Sequence, residues 1–188
     1  NDPNFPAVSY VTKMDTTDFA DNYVQKISGF FLPPKTGDYV FYVASDDDSD
    51  LFLSTDDKPA NKRMIAQETG WNNHLQWLTS AGGSKIEQKR SDSFVDPVTG
   101  DSPGVSGLHL VAGNRYWIEG VHHEGGGGDN LGFTALLSGN TPNNGDDTTL
   151  TGNVIGAIVA NPTKLNIATQ PTDARVTELT TVTFTAGL

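Results

Sequence analysis

From Tyr23 onward, apolar and aromatic residues fall in short runs separated by Gly, Pro, Asp or Asn. The runs are Tyr23–Leu32, Asp38–Ala44, Asp50–Ser54, Met64–Gln67, Leu108–Val111, Arg115–His122 and Leu131–Leu137. Each is rich in β-branched or aromatic residues and too short for a helix, so each predicts a strand. With no long helical pattern between them, they predict an all-β fold: an antiparallel β-sandwich with long loops and little helix. Tyr39-Val40-Phe41-Tyr42-Val43 is apolar on both faces, as a strand covered on both sides requires. Leu131, Phe133, Ala135 and Leu137 alternate with Gly132, Thr134 and Leu136. Both strands are expected inside.

Punctuation between the runs completes the outline. Pro33-Pro34-Lys35-Thr36-Gly37-Asp38 forces a turn, after which the chain returns on itself or crosses to the other sheet. Between Gly70 and Gly107 the pattern weakens: Trp71 to Leu78 predicts one or two helical turns, and Asp92 to Gly107 a long surface loop. The polar cluster from Ser138 to Asp147 closes the domain or precedes an edge strand near Val154–Val159. Asn161-Pro162 reads as a boundary, giving a sandwich over residues 1–160 and a second segment over 161–188. That tail, with Gln170-Pro171 and a Thr-rich strand pattern, resembles the opening of a bacterial immunoglobulin-like domain. The resemblance implies a segment tethered to further domains; a strand completing the sandwich is the alternative.

A chain of 188 residues can bury a substantial core, so the absence of cysteine raises no structural difficulty. It does exclude thiolate zinc, iron–sulfur clusters and cysteine nucleophiles. The net charge of −11 disfavours nucleic acid and anionic membrane surfaces, whose binding depends on Lys and Arg. No 18-residue apolar run is present, so no membrane insertion is expected. Of the 23 acids, 18 are Asp and 5 are Glu, a balance that belongs to turns and compact oxygen clusters.

The densest such cluster is Ser45-Asp46-Asp47-Asp48-Ser49-Asp50, four carboxylates in five residues between two strand runs. Adjacent carboxylates repel, and are accommodated by full solvation at a turn, by raised pKa values or by a hard cation with oxygen ligands. Asp46, Asp48, Asp50 and Asp57 fit positions of a helix–loop–helix calcium loop, but Leu51 stands where that loop needs glycine and the flanks are strands. A second constellation is His122-His123-Glu124-Gly125-Gly126-Gly127-Gly128-Asp129-Asn130. Its glycines let backbone carbonyls approach an ion or ligand, while Glu124, Asp129 and Asn130 add side-chain oxygens. Phosphate-loop spacing is missing, and so is the helical His-Glu-x-x-His of zinc sites. Adjacent histidines on a strand point to opposite faces, which predicts one packed and one exposed ring.

The run Gly29-Phe30-Phe31-Leu32-Pro33-Pro34-Lys35-Thr36-Gly37-Asp38-Tyr39-Val40-Phe41, then Ser45-Asp46-Asp47, Leu108 to Tyr116 and the Glu124 to Leu131 loop together resemble the protective-antigen-fourteen family. That resemblance covers about Phe19 to Leu137. It implies a jelly-roll β-sandwich serving as an extracellular or cell-surface accessory domain of adhesins, glycosidases and toxins. In the family's sugar-binding members two consecutive aspartates, joined by a cis peptide, hold calcium, and a second loop completes the site. By position these are Asp46 and Asp47, with Glu124, Gly126, Gly127, Gly128, Asp129 and Asn130 in the second loop. Asp48, where the family commonly has Gly, and Glu124, where lectin members often carry Asn, add negative charge.

The resulting expectation is a calcium-dependent, non-enzymatic carbohydrate-binding module whose partner is a glycan or polysaccharide. Its ligand contacts are expected at Asp46, Asp47, Asp48, Asp129, Trp71 and Trp77, with Trp117 assigned to packing. Glu68, Glu119 and Glu124 could serve a glycosidase, but no spacing pairs them. The competing expectation is a calcium-stiffened structural or protein-interaction module.

Overall fold

The structure is a computed structural model, and it describes residues 8–18 and 20–157. The chain divides into two compact units, Asn1–Ala157 and Ile158–Leu188; the second lies outside the described residues, and with it the expected immunoglobulin-like tail. Among the described residues there are nine strands: β1 (Asp15–Thr17), β2 (Tyr23–Phe31), β3 (Gly37–Asp46), β4 (Ser49–Ser54), β5 (Lys62–Glu68), β6 (Leu108–Leu110), β7 (Tyr116–Glu124), β8 (Asn130–Leu137) and β9 (Ile155–Gly156). They form two antiparallel sheets, ordered β1-β8-β3-β6 and β5-β4-β7-β2-β9, which makes the fold a β-sandwich. No helix among the described residues is long and apolar enough to cross a membrane.

All seven expected strands are found, with ends shifted by a few residues. The Pro33–Asp38 turn carries the chain from β2 in one sheet to β3 in the other. Two strands lie outside the expected set. β1 reads Asp-Thr-Thr and has no apolar pattern; it forms because β8 offers it a free edge. The Val154–Val159 edge strand reduces, among the described residues, to Ile155–Gly156 beside the end of β2.

Alternation along β3 sends Tyr39, Phe41 and Val43 into the space between the sheets, where they meet Phe31, Leu51, Ile118, Leu131 and Phe133. Its other face carries Val40, Tyr42 and Ala44, and these are buried too, beneath Leu75 and Trp77 of the segment after β5. The both-faces-apolar reading of β3 is therefore correct. Its cover is an irregular loop; Trp71 to Leu78 forms turns and no helix. The reason is local: Leu75 takes a positive φ of 59°, and Trp77 hydrogen-bonds to the Leu75 carbonyl, which leaves no room for the i to i−4 ladder. Asp92 to Gly107 is likewise free of strands and helices, wrapped around the buried Phe94. At Gly120 of β7 the sheets approach so closely that a Cβ would lie 2.7 Å from the Phe133 ring.

Trp77 is fully buried and its indole N–H donates to the Asp146 carbonyl, so its expected role in ligand binding is corrected to core packing. Trp117 is the packing residue expected, edge-on to Phe30 with centroids 5.5 Å apart. Truncating Trp77 to Ala removes one of the largest core side chains, at a cost of about 3–5 kcal/mol. Thermal melting should therefore fall by roughly 10 °C in Trp77→Ala and by no more than about 2 °C in Trp71→Ala, since Trp71 is exposed.

Candidate metal centre

The site follows from topology. β3 and β8 are neighbours in one sheet, and β4 and β7 are neighbours in the other. The chain crosses between sheets from β3 to β4 through Asp47-Asp48, and again from β7 to β8 through Gly125 to Asp129. Two corners joining the same two strand pairs must lie side by side. The register places Asp46 opposite Asn130 at the end of one sheet and Ser49 opposite His122 at the start of the other.

Direct bonds lock the corners together. The Asp46–Asp47 peptide is cis. The Asp47 backbone N–H donates to Glu124 Oε2 at 2.9 Å, and the Gly125 N–H donates to Asp47 Oδ2 at 2.9 Å. Carboxylate oxygens of Asp46, Asp47 and Glu124 all lie within 4.8 Å of one another. Two glycines leave the carboxylates where they are: a Cβ on Gly128 would stand 2.4 Å from Asp46 Oδ2 and displace it, and one on Gly125 would stand 3.0 Å from Asp47 Oδ2 and press on it. Gly127, at φ +117°, turns the loop and donates its N–H to Asp21, which also lies beside Gly126.

The electrostatics match the crowding. Burial, reinforced by Asp47, Asp129 and Glu68, raises the Asp46 pKa above the usual aspartate value. Burial likewise raises that of Glu124, against the Asp47 N–H that favours its ionised form. Glu124 is fully buried, and its Oε1 has no hydrogen-bond partner among the described residues; the same holds for Asn130 Oδ1. An orphaned acceptor in a dry setting is costly, by about 1–3 kcal/mol. The oxygens of Asp46, Asp47 and Glu124 thus form a compact, all-oxygen donor set with unused capacity, and Asn130, paired across the strands with Asp46, adds a buried amide oxygen next to it; this is the donor chemistry that fits a hard divalent cation.

Other candidates take different positions. Asp129 is buried, and its carboxylate already accepts from the Tyr23 hydroxyl at 2.7 Å and the Ala20 N–H at 3.0 Å, which fastens the chain before β2 to this corner. Asp48 is exposed, with its carboxylate 3.1 Å from His123 Nδ1. The histidines divide as expected: His122 is buried and His123 exposed. His122 Nε2 lies 2.8 Å from the Asp46 carbonyl, so it carries the proton, and Nδ1 accepts from Gln25 at 2.9 Å. Burial lowers its pKa, and with both nitrogens engaged it stands as a brace under Asp46. The helix–loop–helix alternative dissolves, because Asp50 bonds Gln67 within the sheet and Asp57 pairs with Arg115.

Trp71 is exposed, and Gly82 fits against its indole so closely that a Cβ there would overlap the ring. Its neighbour Asn72 donates its N–H to the Ser45 carbonyl, which sets Trp71 beside the Asp corner. Asn72, Tyr23, Gln25 and Asp21 escaped the sequence reading. None sits in a motif, and only folding brings them to the corners.

The chain is 30% identical over 143 residues to mouse (Mus musculus) N-acetyl-beta-glucosaminyl-glycoprotein 4-beta-N-acetylgalactosaminyltransferase 1, a match covering 73% of this chain and 12% of that protein. It is 28% identical over 98 residues to dog (Canis lupus familiaris) fibrocystin, covering 52% of this chain and 2% of that protein. The chain thus spans a small fraction of either relative. Among solved structures it is similar to the epithelial adhesin 6 A domain of Candida glabrata in complex with Galb1-3GlcNAc, with TM-score 0.41, 14% identity and coverage of 76% of this chain and 58% of that one. Residues 1–132 match the PA14 domain, and with more than half its length so matched this chain belongs to the PA14 domain family.

Proposed function

We propose that this domain is a calcium-dependent carbohydrate-binding module, displayed outside the cell as one part of a longer chain. The observation that carries the reading is the buried, partnerless Oε1 of Glu124 in the cluster with the Asp46 and Asp47 carboxylates, together with the partnerless Oδ1 of Asn130, the residue opposite Asp46 in the ladder. Calcium, when bound, would supply a hard positive charge that accepts these oxygens and still has coordination positions for vicinal sugar hydroxyls. Asp46, Asp47, Glu124 and Asn130 would hold it. The glycine corner, including Gly126, Gly127 and Gly128, keeps side chains away from the approach. Asp46 and Asp47 can also accept hydrogen bonds from sugar hydroxyls, and the propped, exposed face of Trp71 offers a surface for a sugar ring.

The side chains favour binding over catalysis. Of the other glutamates that a glycosidase could use, Glu68 faces Lys89 at 3.0 Å and Glu119 is paired with Lys62. Asp48, with its carboxylate exposed at the mouth, disfavours anionic sugars, so neutral glycans are the expected ligands.

Calcium at about one hundred times its dissociation constant should stabilise the fold by about 2.7 kcal/mol, a rise of roughly 5–10 °C in melting temperature that chelator reverses. No rise would sink the metal reading. Asp46→Asn gives a test of opposite signs. A carboxylate with a raised folded-state pKa weakens the fold as pH climbs from its unfolded-state pKa through its folded-state pKa, so at pH 7 without metal Asp46→Asn should melt above the parent. With excess calcium it should melt below the parent. On a glycan array with calcium, the parent should bind neutral sugars, Asp47→Ala should lose binding, and Trp71→Ala should weaken it about tenfold. Calcium-dependent melting without any glycan signal would assign the domain to structural stiffening instead.

A further inference from the structure

We propose that Lys89 and Asn72 are positioning residues that set the orientation of the Asn130 amide, and through it the affinity of the metal centre; the second half of this statement rests on the function proposed above. The starting point is the cross-strand pair Asp46 and Asn130. Residues directly opposed on neighbouring strands present their side chains on the same face, so Asn130 stands beside Asp46 on the outer side of the β3–β8 sheet. Its Nδ2 donates to the Asn72 carbonyl at 3.1 Å. An amide carries its oxygen and nitrogen on opposite arms, so this bond commits Oδ1 to the other side, where it is buried without a partner. Reversing the amide would set two carbonyl oxygens against each other. Asn130 Oδ1 therefore stays on the arm away from Asn72, free to serve as an acceptor, only while Asn72 holds its place.

Asn72 lies in an irregular segment with no ladder to fix it. Its backbone N–H donates to the Ser45 carbonyl at 2.7 Å, and its side-chain amide donates to the carbonyls of Gln76 at 3.1 Å and Thr79 at 2.6 Å. The Lys89 ammonium grips the same two carbonyls, at 2.8 and 2.9 Å, and meets Glu68 Oε2 at 3.0 Å. Lys89 and Glu68 are both fully buried. The two carbonyl contacts are hydrogen bonds, and the third is a buried ion pair. The Lys89 backbone carbonyl in turn accepts from Val43 of β3, so the hub is anchored on the strand that ends in Asp46. A continuous path thus runs from β3 through Lys89, the carbonyls of residues 76 and 79, and Asn72 to the Asn130 amide.

A buried ion pair adds little net stability and is often replaced by apolar residues without loss, so its value here is geometric. An internal cation gathers the carbonyls of a loop that has no regular structure. A site held by such supporting bonds loses affinity when they loosen, even if the fold survives.

The test is the double variant Lys89→Met with Glu68→Met, which removes both charges together, beside Ile65→Val as a core control outside the path. In the metal-free protein, NMR hydrogen exchange should quicken at least tenfold at the Asn72 backbone N–H and the Asn130 side-chain amide, and less than twofold in Ile65→Val. Calorimetry with calcium alone should show affinity falling about five- to tenfold in the double variant, with a metal-free melting temperature within about 3 °C of the parent. Asn72→Ala, which leaves the ion pair intact, should shift both readouts the same way and serves if the double variant does not fold. Unchanged exchange at both amides in a folded variant overturns the positioning role. Should the parent itself bind no calcium, the metal reading fails while the exchange measurement still decides whether Lys89 orients Asn130.

Discussion

Two sheet-crossing corners connect the same two pairs of neighbouring strands, and the rest of this domain's character depends on their forced adjacency. Once β3 pairs with β8 and β4 with β7, the segments 47–48 and 125–129 have nowhere else to go. The core enforces that pairing, because a one-residue slip would turn Phe41 and Val43, or Leu131 and Phe133, out of the space between the sheets in the β3–β8 ladder, and Leu51 and Leu53, or Ile118, in the β4–β7 ladder. Hydrophobic burial, spread over the sandwich, thus supplies the force that holds Asp46, Asp47 and Glu124 together against their mutual repulsion.

The corner answers that repulsion in two distinct ways. Some acceptors are satisfied by the protein itself: Asp129 by Tyr23 and Ala20, the Asp46 carbonyl by His122, Asp47 Oδ2 by Gly125. Others are left over, namely Glu124 Oε1 and Asn130 Oδ1, beside an Asp46 whose pKa is raised. The satisfied set braces the loops and the unsatisfied set has chemistry to spare. A site that must release and rebind a ligand needs both, since a fully satisfied cluster would bind nothing and an unbraced one would relax outward.

Much of the sandwich was legible in the sequence because strand burial writes itself as alternation. Tyr39 to Val43 announced cover on both faces, and His122-His123 announced one ring in and one out. The Asp46-Asp47 pair and the glycine run were visible as local composition. What stayed hidden was whatever depends on non-local packing. Trp77 offered a large aromatic in a weakly patterned segment and looked as available as Trp71; only the fold shows that it plugs the outer face of β3. Asn72 and Lys89 carry no motif at all, and their importance comes from which carbonyls happen to converge on them. β1 escaped because edge pairing needs only a free partner, which three polar residues cannot advertise.

The irregular segment between β5 and β6 links these points. It covers the outer face of β3 with Leu75 and Trp77, presents Trp71 at the surface, and touches the Asp corner through Asn72. An apolar cover alone could slide, since Leu and Trp side chains specify depth better than direction. The Lys89 ammonium supplies direction, because carbonyl dipoles must point at it. Packing therefore seats the segment and hydrogen bonding orients it. That division explains why a fully buried charge is tolerated against the strand that ends in the most acidic corner of a chain with net charge −11.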